Sequence, residues 1–200
     1  MPKTSHPTRD RLIMTMVELL DGSDPEHITA DQVLNASGIS KGSLYHHFED
    51  FEDLVEAALI ARFSVNVDAT IDALSQILAT VSSKEELLGA LRELNVYNQA
   101  QSRSSFRLER ARAAGLTYSS PRFHDALGLE QQRLTEAFTD LFVEAQNKGW
   151  MSPTVDARAA AVFVQAYTVG RIVDDIAPEK VDQEAWMNLI MTVVEKSLLN

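Results

Sequence analysis

Apolar residues recur every three or four positions along almost all of this chain, and no stretch alternates convincingly with a period of two. The pattern predicts helices throughout. The first runs from Thr8 to Leu20, with Leu12, Ile13, Met16, Val17, Leu19 and Leu20 at helical spacing, and Asp21-Gly22-Ser23-Asp24-Pro25 closes it. Thr29 and Gln32 have capping-box spacing and open a second helix that buries Ala30, Val33 and Leu34 and stops at Gly38. Ser40 caps a third, Lys41 to Phe48, which buries Leu44 and Phe48. Glu49-Asp50 opens a long fourth helix carrying Leu54, Val55, Ala58, Leu59 and Phe63 and extending as far as Leu78. Ser83 with Glu86 caps a fifth, and Phe106 to Ala114 forms a sixth that ends at Gly115. Pro121 to Gly149 reads as one long helix, with Gly128 a candidate break. Asp156 to Ile176 is Ala-rich and is closed by Pro178, and Gln183 to Leu199 is the last helix.

Composition narrows the class. With no cysteine, disulfides, thiolate zinc sites and cysteine nucleophiles are excluded. No apolar run approaches the roughly 20 residues that span a bilayer, and the polar start MPKTSHPTRD has no signal-peptide core, so a cytoplasmic protein with no membrane partner is expected. The net charge is −11, of which −2 falls on residues 1–48 and −9 on the rest. Neither part is a basic patch, so any hold on nucleic acid must come from a few placed donors and be weak on non-specific DNA.

Those donors are concentrated between Thr29 and Phe48, TADQVLNASGISKGSLYHHF. Two short helices joined by a glycine turn can hold the second in a DNA major groove. Gly42 lets backbone approach a base edge or phosphate. Lys41 reaches guanine acceptors or a phosphate, and Ser43 can hydrogen-bond either. Tyr45, His46 and His47 carry polar tips suited to phosphate oxygens, and Thr29 with the free N–H groups of the second helix offers a phosphate site. Ser40 holds the start of the reading helix, and Arg9 and Arg11 lie where they can touch the backbone. The same pattern also suits an ordinary pair of amphipathic helices. Metal is not expected: His46 and His47 point about 100° apart on a helix, and His6, His27 and His124 have no ligand spacing.

The stretch SGISKGSLYHHFEDFEDL resembles the signature of TetR-family transcriptional regulators. The motif covers residues 8–60, and the remainder agrees in length and helix count. The resemblance implies an all-α fold of about nine helices. A three-helix, helix-turn-helix DNA-binding head (residues 1–50) is joined through a long fourth helix to a helical effector-binding and dimerisation body (51–200). By the same resemblance, Lys41, Gly42 and Ser43 face bases, and Tyr45, His46 and His47 touch phosphates. Many members carry a phosphate-contacting Lys at the start of the fourth helix. Here Phe51 stands there between acidic residues, which puts that contact in doubt.

A single head reads few base pairs, so two heads about 34–36 Å apart on a palindrome are expected, and the body must supply a homodimer interface. The family's arrangement assigns it to the last two helices. Here Ala157, Ala160, Ala161 and Val164 permit close packing, and Trp186, Leu189, Ile190, Val193 and Leu198 form an apolar stripe. The alternative is that the stripe packs on its own body. The middle helices are expected to enclose a small-molecule effector, with Tyr97, Phe106, Tyr118, Phe138, Phe142 and Trp150 as candidate lining. Arg103, Arg107 and Arg110 fall at i, i+4 and i+7 on one face and suit an acidic ligand. The competing reading is a core of aromatics and arginines paired with nearby acids such as Glu109 and Asp125. The expected mechanism is a repressor released from its operator when effector favours a head spacing that no longer fits successive major grooves. Three rivals remain: an activator, a helical interaction module with a degenerate head, and an enzyme. The enzyme has no supporting triad, phosphate loop or metal spacing, and no cofactor is expected.

Overall fold

The computed structural model describes residues 6–197, all of whose regular structure is helical. The ten α-helices are α1 (Pro7–Leu20), α2 (Ala30–Ser37), α3 (Lys41–His47), α4 (Phe51–Thr80), α5 (Lys84–Gln99), α6 (Ser104–Leu116), α7 (Pro121–Asn147), α8 (Ala157–Gly170), α9 (Ile172–Asp175) and α10 (Gln183–Ser197). Nine exceed a single turn, and two 3₁₀ turns, Pro25–His27 and Gln101–Arg103, lead into α2 and α6. None of these helices is long and apolar enough to cross a membrane.

Local chemistry sets the ends. Pro7 and Pro121 sit at the first helical position, where a missing N–H costs nothing. Side chains of Thr29, Ser40, Asp50, Ser83, Ser120 and Asp156 each accept a backbone N–H at the helix they precede. Three expectations are revised. The helix beginning at Pro121 runs unbroken past Gly128, because a long apolar face on α4 and α8 outweighs one weak helix former. α6 likewise continues through Gly115 to Leu116. The helix expected from Asp156 to Ile176 is instead interrupted after Gly170, and the carbonyl of Arg171 receives the amides of Asp174 and Asp175 as α9 begins.

Two buried clusters organise the molecule. The first joins Leu12, Met16 and Leu20 of α1, Val33 of α2, Leu44 and Phe48 around α3, and Leu54, Val55 and Ala58 from the first turns of α4. The second gathers Val67 and Leu74 farther along α4, Leu87 and Leu91 of α5, Leu134, Phe138, Leu141 and Phe142 of α7, Ala160 and Ala161 of α8, and Ile190 and Val194 of α10. α4 belongs to both, so it links them mechanically.

Candidate nucleic-acid interface and effector cavity

The reading helix is fixed from behind and open in front. In the capping box, Thr29 Oγ1 accepts the Gln32 amide at 3.4 Å while Gln32 Oε1 accepts the Thr29 amide at 2.8 Å. Gly38 ends α2 in the left-handed region at φ +68°, where a side chain is strained. Ser40 Oγ then accepts the Ser43 amide at 3.2 Å. Leu44 and Phe48 are buried, so the helix face at Lys41, Gly42, Tyr45 and His46 is turned outward and exposed. A Cβ built on Gly42 meets nothing within 4 Å. Ser43 and His47 are partly covered. The rings of His46 and His47 meet edge to face at 5.1 Å, and the Arg9 guanidinium lies 5.1 Å from the Phe48 ring.

Phe51 packs against the head cluster, leaving the start of α4 acidic. Arg122 of α7 answers it: Nε donates to Glu56 at 2.8 Å and Nη1 to Glu49 at 3.2 Å, with Asp50 and Asp53 beside it. The hydrogen bond to Glu56 and those neighbouring carboxylates hold the guanidinium above its usual range. α6 makes a second connection. Arg112 pairs with Asp24 at 3.1 Å and Glu26 at 3.0 Å in the turn after α1. Arg62 of α4 bonds Glu109 at 3.3 Å and the Leu20 carbonyl at 3.0 Å.

A cavity of about 200 Å³ lies among α4, α5, α6, α7 and α8. Of the residues expected there, Tyr97, Arg103, Phe106, Arg107, Arg110, Phe138 and Phe142 line it. Tyr118 and Trp150 do not. Tyr118 follows the end of α6 and is 98% exposed, while Trp150 packs on the body core beneath Lys148. The aromatic count in the sequence could not separate a loop tyrosine from a lining one. The sequence reading missed a polar arc, Asn66, Thr70, Asn95, Gln165 and Tyr167, whose residues look like solvated positions when each helix is read alone. Tyr167 donates to Asn95 Oδ1 at 2.7 Å, and burial pushes its hydroxyl up to about 12.

The three arginines differ. Arg107 is fully buried and bound to Asp175 through two hydrogen bonds of 2.6 Å, with further bonds to the carbonyls of Asn98 and Ala100. Its partner is thus neither Glu109 nor Asp125 but an acid 68 residues away. Hydrogen bonding from Arg107 holds the Asp175 carboxyl below the usual range. Arg110 has no carboxylate partner among the described residues. It makes one long bond to Gln131 Oε1 at 3.4 Å above the Phe63 ring, and burial lowers its pKa. The Arg103 guanidinium lies 4.8 Å from the Tyr97 ring and 4.1 Å from that of Phe106, with Nε buried and without a hydrogen-bond partner.

The expected dimer stripe divides. Ala161 and Ile190 are buried in the protomer's own core, as is Ala160. Val164 lines the cavity, and Trp186 turns inward to bond Gln99 at 2.9 Å. Ala157 and Val193 are partly covered, Leu189 is exposed, and Leu198 lies outside the described residues. Periodicity found an apolar stripe but not the partner it faces. The face of α8 that remains open carries Ala159, Val162, Phe163, Ala166 and Gly170, continued by Val173 and Ile176.

No family model and no curated protein matches the chain. Solved structures do match over nearly its whole length. A Mesorhizobium loti protein described as a TetR-family transcriptional regulator superposes with TM-score 0.70 at 14% identity, covering 94% of this chain and 93% of its own. A Thermobifida fusca regulator of the TetR/AcrR family gives 0.66 at 15%, covering 96% and 98%. A Saccharomonospora viridis protein described as a transcriptional regulator, in complex with choline, gives 0.66 at 17%, covering 96% and 97%. The chain has the all-helical fold of TetR-family transcriptional regulators.

Proposed function

We propose that this chain is a TetR-family transcriptional repressor that binds a palindromic operator as a homodimer and leaves it when a small molecule fills the cavity. The observation that carries the reading is the outward face of α3. Lys41, Gly42, Tyr45 and His46 stand exposed on a helix whose other side is locked by Leu44, Phe48 and the caps at Thr29 and Ser40, while nearly the whole chain superposes on TetR-family transcriptional regulators. In this reading Lys41, Gly42 and Ser43 face bases, and Thr29, Ser40, Tyr45, His46 and His47 meet the phosphate backbone. The head comprises residues 1–50, its core completed by the first turns of α4, and residues 51–200 form the body.

The open apolar face of α8 and α9, with Leu189 of α10, supports a two-fold interface in which small residues let paired helices approach. The signal route is supported by α6. Its arginines line the cavity, while Glu109 and Arg112 on its other side bond the head and the adjoining part of α4. Each exposed pair is worth only about 0–1 kcal/mol, so the set shifts the head without locking it. A ligand that displaces α6 alters head spacing, and operator DNA weakens ligand binding by the same factor.

Selection of genomic fragments by the purified protein tests the reading. An enriched palindrome with half-sites about one helical turn apart is the expected result. Recovery no better than random DNA would sink it.

A further inference from the structure

We propose that the cavity selects small monocarboxylic acids with an apolar or aromatic body, admitted by Arg110 and Arg103. The proposal rests on the reading of the chain as a ligand-responsive regulator, whose effector it names.

In a chain of net charge −11, the described residues that line the cavity include no Asp, Glu or Lys; the charged ones among them are Arg103, Arg107 and Arg110. Arg107 is already used. Its Nε and Nη2 hold both oxygens of Asp175, and Nη1 serves two carbonyls. Arg110 and Arg103 have no such counterpart among the described residues. Arg110 has one long contact to an amide oxygen. The Arg103 guanidinium lies over the rings of Tyr97 and Phe106, and its buried Nε has no hydrogen-bond partner.

A partly buried guanidinium without a counter-charge is costly, and an anion placed against it recovers charge-assisted hydrogen bonds. The planar donor fork of arginine matches a carboxylate edge, whereas an ammonium ligand finds no carboxylate here and meets like charge. Beside its polar arc, the lining includes the apolar side chains of Leu91, Leu134, Phe138 and Phe142, which suit an apolar or aromatic body. The cavity volume of about 200 Å³ is below the roughly 300–1,000 Å³ of drug-sized sites, so the acid is small.

The test is calorimetric titration of the full-length protein with benzoate, phenylacetate and octanoate. Each is compared with its neutral amide, and benzyltrimethylammonium and phenyl phosphate are added to the set. At least one acid is expected to bind, with its amide weaker by about 10- to 100-fold. Arg110→Gln should abolish the preference for acid over amide, and Arg110→Lys should restore part of it. Should Arg110→Gln fail to fold, Arg103→Gln read against the same pairs serves instead. The proposal is overturned if no acid binds, if acids bind no better than their amides, or if the ammonium or phosphate probe wins. Operator affinity is measured in parallel. Acid binding that leaves DNA affinity unchanged upholds the ligand class and defeats the release mechanism. DNA release by a neutral or cationic compound alone does the reverse.

Discussion

Gly38 and Gly42 stand four positions apart and make opposite demands. Gly38 holds φ +68°, so Gly38→Ala should cost roughly 1–2 kcal/mol in chemical denaturation by forcing a side chain into the left-handed region. Gly42 has ordinary helical geometry and nothing within 4 Å of a built Cβ. Gly42→Ala should therefore leave stability unchanged or raise it by up to about 1 kcal/mol, while operator affinity falls. Loss of stability with DNA binding intact would mean that Gly42 serves the scaffold. Lys41→Ala provides a second check: if Lys41 reaches a phosphate, the dependence of log K on log salt should become shallower by about 1. These positions were legible in the sequence because caps and turns are local. Thr29 with Gln32, Gly38, and Ser40 with Ser43 each fix their neighbours within three or four residues.

At the scale of elements, the join of α6 to α9 depends on a pair that no local pattern reveals. Arg107 and Asp175 are both inaccessible to solvent, so Asp175→Ala strands a buried cation and should cost about 3–5 kcal/mol. The depressed carboxyl also sets a pH signature. Its contribution is complete above the unfolded carboxylate value near pH 4 and is lost as pH falls through the lower folded value. Thermal melts should show that acid-dependent loss below about pH 4 in the parent and less of it in Asp175→Asn. The arginine spacing on α6 was readable, but its partner was not, because 68 residues separate them and helical periodicity carries no information on which faces meet. The same limit explains Trp186, Ile190 and Ala161, which read as interface and pack inward. It explains Gly170 as well: Pro178 is the strongest local breaker and the sequence pattern runs on to it, although the helix is interrupted sooner.

For the whole molecule, the proposed dimer rests on the open apolar strip of α8 and α9, with Leu189 of α10. Phe163 is 42% exposed and Leu189 58%, although both are large and apolar. Phe163→Glu should shift the protein toward monomer in sedimentation velocity and weaken operator binding with it, while ligand binding persists. A dimer unaffected by both Phe163→Glu and Leu189→Lys would place the interface elsewhere. Fold class and the three-helix head were readable from the sequence because each helix carries its own caps and periodicity; the cavity lining was readable only in part, because it exists between helices. α6 has a practical consequence of its own. It presents Arg107 and Arg110 to the cavity, with Arg103 in the turn that leads into it, while Glu109 and Arg112 reach toward the head. On the proposed function, taste and transmission therefore occupy separate sides of one rod. If the chain is the ligand-responsive regulator proposed, recarving Leu91 and Leu134 on α5 and α7 should yield a biosensor for a different analyte, leaving the promoter it answers to, and the wiring between them, untouched.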